Sequence, residues 1–188
     1  MTALPQSLSV AEYLEMEERS EERHEFVDGQ LLAMAGETRQ HNDIVGNIYV
    51  ALREYARARG CRVQFETVKV PVSARKYRYP DVFVSCAPPD DDARLERNPC
   101  LIVEVMSEST KGIDLGDKLQ EYLRIPSLER YLIVAQDKQS GLLYKRMPNG
   151  WVVQILEHNA EIDVPCLETS ITFEQIYAGL EISGLPQG

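Results

Sequence analysis

Two short apolar runs between residues 79 and 107 each carry a carboxylate where a buried strand should not tolerate one. The first reads Tyr79-Pro80-Asp81-Val82-Phe83-Val84-Ser85, the second Leu101-Ile102-Val103-Glu104-Val105-Met106-Ser107. Short runs rich in Val and Ile, bounded by Pro, Asp and Asn, are strand signals. A carboxylate inside such a strand needs a cation, a donor network or a metal ion. Two carboxylates on adjacent strands can share a hard divalent cation through their oxygens. Each also has a plainer use: Asp81 as a turn residue after Pro80, Glu104 as the partner of an arginine. The ordered pair, followed by Lys118 on a helix, favours a site.

The flanking sequence supplies the other elements. Ser9 and Glu12 make a capping box, and Val10, Tyr13 and Leu14 continue it as an apolar stripe, so a helix is expected from Ser9 to Arg19. Glu25 to Leu32 reads as a hairpin; its Asp28-Gly29 suits a type I′ turn, where both central residues need positive φ. Glu25 shares a strand face with Val27. It is a third inward carboxylate if that face looks inward, and an edge residue if it does not. From Arg39 to Arg59, Ile44, Val45, Ile48, Leu52 and Tyr55 form one helical stripe, and Gly60 closes it. His41 lies on the same side, placed either to face the carboxylates or to hydrogen-bond in the core.

Cys61 to Val72 alternates as one bent or bulged strand stopping at Pro71, and residues 73–79 are expected as a basic turn or loop. The second apolar run places Ile102, Glu104 and Met106 on one face and Leu101, Val103 and Val105 on the other. A helix from Asp114 to Leu123 puts Asp114, Lys118 and Glu121 or Tyr122 on one side. Strands over 130–135, 141–146, 151–155 and 162–164 follow, with Asn149-Gly150 as a hairpin signal, then a short helix from Phe173 to Leu180. This order implies an α/β domain over residues 1–188, with a mixed central sheet flanked by helices and preceded by a helix and hairpin.

The net charge is −10, which argues against a protein that coats nucleic acid without specificity. From Arg53 to Arg78, however, eight basic residues accompany two acidic ones. Arg53, Arg75, Lys76 and Arg78 are therefore candidates for a phosphate-facing strip, a solvated charged surface being the alternative. No apolar run approaches the ~20 residues of a membrane span, and the acidic start lacks the features of a signal peptide. A cytoplasmic protein without a membrane partner is expected. Cys61, Cys86, Cys100 and Cys166 are widely spaced, with no C-x-x-C, and read as free thiols rather than a zinc site or disulfide framework.

Pro80-Asp81, Glu104-Val105-Met106-Ser107, Asp114 and Lys118 resemble the Uma2-type restriction-endonuclease family, small members of the PD-(D/E)XK nuclease superfamily. Arg23-His24-Glu25-Phe26, Asp28-Gly29, His41 and the strand Glu129-Arg130-Tyr131-Leu132-Ile133-Val134 extend the resemblance through nearly the whole chain. It implies a restriction-endonuclease-like core and a magnesium- or manganese-dependent endonuclease acting on DNA, expected as duplex. By the same resemblance Asp81, Glu104 and the main-chain oxygen of Val105 hold the metal. Glu25 is a candidate for an extra ligand, direct or through water, and His41 a candidate for binding water or phosphate. The superfamily places a lysine two residues after the glutamate, where this chain has Met106, which cannot donate a hydrogen bond. Lys118 is the best replacement; without one the domain would be an inactive module for binding or interaction. A homodimer would set two sites in symmetry for a double-strand cut, although no residue demands one.

Overall fold

The computed structural model describes residues 7–34, 36–89, 91–107, 112 and 115–182. In chain order its elements are α1 (Val10–Arg19), β1 (His24–Val27), β2 (Gln30–Ala33), α2 (Arg39–Ala58), β3 (Arg62–Phe65), β4 (Val70–Ser73), β5 (Lys76–Arg78), β6 (Val82–Ser85) and β7 (Leu101–Met106). There follow α3 (Asp117–Tyr122), β8 (Arg130–Ala135), β9 (Gly141–Met147), β10 (Gly150–Leu156), β11 (Glu161–Val164), a 3-10 turn (Pro165–Leu167), β12 (Thr169–Thr172) and α4 (Phe173–Ile176).

The two carboxylate-bearing runs become neighbours. β6 and β7 pair antiparallel inside a six-stranded sheet of order β10-β9-β8-β7-β6-β3. β7 and β8 run parallel, while the other pairs of this sheet are antiparallel. Pleating then sorts the side chains. Val82, Val84, Leu101, Val103 and Val105 join the α2 stripe of Ile44, Val45, Ile48 and Leu52 in one core. Phe83, Ile102, Tyr131 and Ile133 face the other way, onto Val70, Tyr122, Ile125 and Leu128. Glu104 shares this second face with Ile102, and it is the face on which α3 and β4 pack.

A second sheet, β2-β1-β5-β4, holds the N-terminal hairpin. Asp28 and Gly29 have φ of 51° and 99°, the positive values a type I′ turn requires. Tyr13 of α1 stacks on Phe26 with 4.7 Å between ring centroids, closing a small third core with Tyr77 and Leu95. The capping box of α1 is present.

Three local expectations are corrected. The run from Cys61 to Val72 is two strands in different sheets: the chain breaks at Glu66, whose φ is 52°, and Pro71 lies within β4 instead of ending a strand. Residues 76–78 form β5 instead of a loop, because they pair with both β1 and β4. The cysteines, expected free, are paired as Cys61–Cys86 and Cys100–Cys166, and none is free among the described residues. Arg62 faces Ser85 across the β3–β6 ladder, so Cys61 and Cys86 fall opposite one another at its end despite their distance in sequence.

Candidate active site

Val82 pairs with Val103, and one step further along the same register Asp81 stands across from Glu104. Asp81 is fixed by the sheet itself: its Oδ2 accepts a 2.6 Å hydrogen bond from the Val105 amide. The same oxygen lies 3.2 Å from Nε2 of His41, which the first turn of α2 brings to the strand end. Thr38 caps that turn by accepting from the His41 amide. His41 is 2% exposed. Burial pulls its pKa down, but the hydrogen bond and charge of Asp81 outweigh this and hold it above the usual histidine value.

Glu104 is 1% exposed and is approached from α3. Its Oε1 accepts from the Tyr122 hydroxyl at 2.8 Å and lies 3.1 Å from Lys118 Nζ. Burial first, then the negative charge of Glu104, raises the Tyr122 phenol well above its ordinary pKa, so Tyr122 remains a donor. Lys118 and Tyr122 are four residues apart, one turn of one helix face, and both reach a single carboxylate. Met106 is partly buried in the apolar cluster beneath. The ammonium of Lys118, from α3, lies against Glu104 on the face of β7 that Met106 shares.

Glu25 reaches the same region by another route. Lys118 Nζ lies 3.9 Å from its Oε1, so the ammonium stands between Glu25 and Glu104. The rest of Glu25 is taken up by Arg78 Nη1 at 2.7 Å and the Tyr79 amide at 3.3 Å. Arg78, 1% exposed, also donates through Nε to Glu121 Oε2 at 2.7 Å, and Lys76 Nζ lies 2.8 Å from Glu121 Oε1. Burial raises the Glu121 pKa, but Arg78 and Lys76 outweigh it and hold the carboxylate below its usual value. This chain of Glu25, Arg78, Glu121 and Lys76 ties β1, β5 and α3 together beside the carboxylate pair.

The basic strip expected from sequence is therefore not continuous. Arg78 is buried between two glutamates, and Lys76 is committed to Glu121 and, at 3.6 Å, to Asp28. Arg75 is exposed, 3.9 Å from Asp28. Arg53 sits on the far half of α2, over the ring of Tyr49. Burial of Arg78 is decisive, since a phosphate could reach it only by unpairing Glu25 and Glu121. Asp114 lies outside the described residues.

Sequence reading missed Arg78 and Glu121 as parts of one ion-pair network. The local cue is Arg78 between Tyr77 and Tyr79, a cation in a short aromatic strand. Its partners lie 53 and 43 residues away, and no periodicity reports them.

The carboxylates of Asp81 and Glu104 are hard oxygen donors on adjacent strands, the chemistry that suits magnesium or manganese. The residues thus fit a divalent ion, with the Val105 carbonyl as a third oxygen. Glu25 is less available, because Arg78 and Lys118 already engage it.

The fold is also that of a crystal structure from Anabaena variabilis described as "a putative nuclease belonging to DUF820". The two superpose with a TM-score of 0.74 over 91% of this chain and 98% of that one, at 15% sequence identity. The likeness establishes the fold. Residues 10–175 match the Uma2 family, described as "Putative restriction endonuclease", and the chain belongs to that family. Two uncharacterized proteins of Synechocystis sp., slr1290 and sll1609, are 32% and 30% identical to it, over 92% and 87% of this chain and 93% and 96% of theirs.

Proposed function

We propose that the protein is a magnesium- or manganese-dependent endonuclease that hydrolyses phosphodiester bonds in duplex DNA. The observation that carries the reading is the 3.1 Å approach of Lys118 Nζ to Glu104 Oε1, beside Asp81 on the adjacent strand. Asp81, Glu104 and the Val105 main-chain oxygen would hold the ion. A bound divalent ion polarises an attacking water and offsets charge on the phosphoryl oxygens.

The chain's own residues do the positioning. The Val105 amide fixes one Asp81 oxygen and leaves the other for a ligand. Tyr122 and Lys118 orient Glu104. With Glu104 engaged as a metal ligand, Lys118 would be able to face the phosphate or the water, the part a lysine two residues after Glu104 would play. His41 supplies a proton donor or acceptor at Asp81.

The test is cleavage of supercoiled plasmid, single-stranded DNA and RNA, each with magnesium, manganese or chelator. Metal-dependent cutting of the plasmid is expected, with weaker action on the single strands. If no substrate is cut with either metal, the reading fails and the domain is a non-catalytic module.

A further inference from the structure

We propose that, with its disulfides reduced, the chain holds a zinc ion between Cys61, Cys86, Cys100 and Cys166. The ligand-bearing atoms of Cys86, Cys100 and Cys166 all lie within 4.8 Å of one another. These three belong to both disulfides; Cys61, bonded to Cys86, lies at the edge of the cluster, outside the 4.8 Å spread of the other three. Cys86 Sγ also lies 3.5 Å from the main-chain oxygen of Cys166, which puts the two pairs in direct contact. Three sulfurs, from the end of β6, the approach to β7 and the 3-10 turn, thus cluster, and the fourth, from the start of β3, is attached to that cluster through Cys86 and would swing in once that bond is reduced.

Zinc binds four thiolates as a tetrahedron with Zn–S of about 2.3 Å, which separates the sulfurs by roughly 3.8 Å. Three sulfurs already spread over at most 4.8 Å reach that spacing by side-chain rotation. Thiolates select zinc over the hard ions that suit carboxylates. Cys61 and Cys100 are each 7% exposed, so the site is closed on its inner side. Arg62, beside Cys61, donates at 2.9 Å to the carbonyl of Ala87, beside Cys86, and at 3.0 Å to the buried Glu96 carboxylate, which ties the Cys61 and Cys86 segments together.

The site is separate from the carboxylate pair. Asp81 and Cys86 flank β6 at its two ends, and a strand of that length sets them about 16 Å apart. Four sulfur ligands leave no open position, so the ion would be structural. It would pin β3, β6 and β7 to the C-terminal hairpin. The chemistry balances: two dithiol molecules pass two electrons and two protons each to the disulfides, leaving as cyclic disulfides. The four thiols formed then lose four protons as zinc binds.

The full chain, reduced without oxygen, is titrated with cobalt(II) as a spectroscopic stand-in and then with zinc. One cobalt per chain is expected, with a sulfur-to-cobalt charge-transfer band and intense tetrahedral absorption, both abolished by one equivalent of zinc. Cys86→Ser, at an exposed position, and Cys166→Ser should each weaken zinc binding at least tenfold. Asp81→Asn should leave the band unchanged, which separates this outcome from any failure at the carboxylates. Absence of the band in the reduced chain, or an undiminished band in Cys86→Ser and Cys166→Ser, overturns the proposal.

Discussion

Lys118 faces two carboxylates, Glu104 at 3.1 Å and Glu25 at 3.9 Å, and this decides what its removal should do. In Lys118→Ala the ammonium that competes with a metal for Glu104 is gone. Magnesium-induced stabilisation should therefore persist or grow, while cleavage falls by about 10²-fold or more, as for loss of one charged donor to a transition state. A surface ion pair of no catalytic use would cut like wild type. Met106→Lys in the same background should return part of the rate, since residue 106 shares the Glu104 face of β7; no recovery would place the lysine's action elsewhere.

Glu121 allows a second prediction, read in acid. Its folded pKa lies below the ordinary 4.5. The stability it contributes is thus fully present above the unfolded value and is lost as pH falls through the folded one. Glu121→Gln should lower stability near neutral pH by about 3 kcal/mol, the lower end for breaking a buried pair, because Arg78 keeps Glu25. It should also flatten the fall in stability below pH 4.5. An acid limb parallel to wild type in chemical denaturation would show that the pair contributes nothing.

At the scale of elements, the parts legible in sequence are those with a strong local period or a turn that only certain residues allow. The α2 stripe, the β7 alternation and the Asp28-Gly29 turn are of this kind. The division of residues 61–72 between two sheets was not legible. It depends on one left-handed residue, Glu66, and on which sheet each half finds to pair with. β5 was hidden for the same reason: Lys76-Tyr77-Arg78 has no apolar run, and its strand character comes from β1 and β4 on either side. The candidate site divides likewise. Asp81 and Glu104 could be read as a pair because carboxylates in apolar strands are conspicuous. The Arg78 network and the sulfur cluster are tertiary contacts with no local signature.

Gly141 tests the register of the sheet. A Cβ there would run into the carbonyl oxygen of Ile133 on β8. That backbone belongs to the strand beside β7 and cannot turn aside as a side chain can. Gly141→Ala should cost about 1–3 kcal/mol, the usual range for overpacking. A midpoint in urea unchanged from wild type would show that β8 and β9 are more loosely paired than described.

At the scale of the whole molecule, the fold brings two strands, a helix N-terminus and a short helix to one junction. On the proposed function, a chain of net charge −10 would approach a polyanion there against its own overall field. A divalent ion at the junction would lower that barrier locally, so metal binding should precede or accompany binding of DNA. With calcium in place of magnesium, an ion that fills oxygen sites, duplex affinity should rise over that in chelator by more than tenfold without cleavage. Equal affinities would separate DNA binding from the carboxylates. Calorimetric unfolding with and without magnesium tests whether Asp81 and Glu104 form one divalent-ion site. A native-state ion at 100 times its Kd stabilises by about 2.7 kcal/mol. A gain of that order is expected in wild type and its loss in both Asp81→Asn and Glu104→Gln; an equal gain in all three proteins would show that the two carboxylates hold no ion.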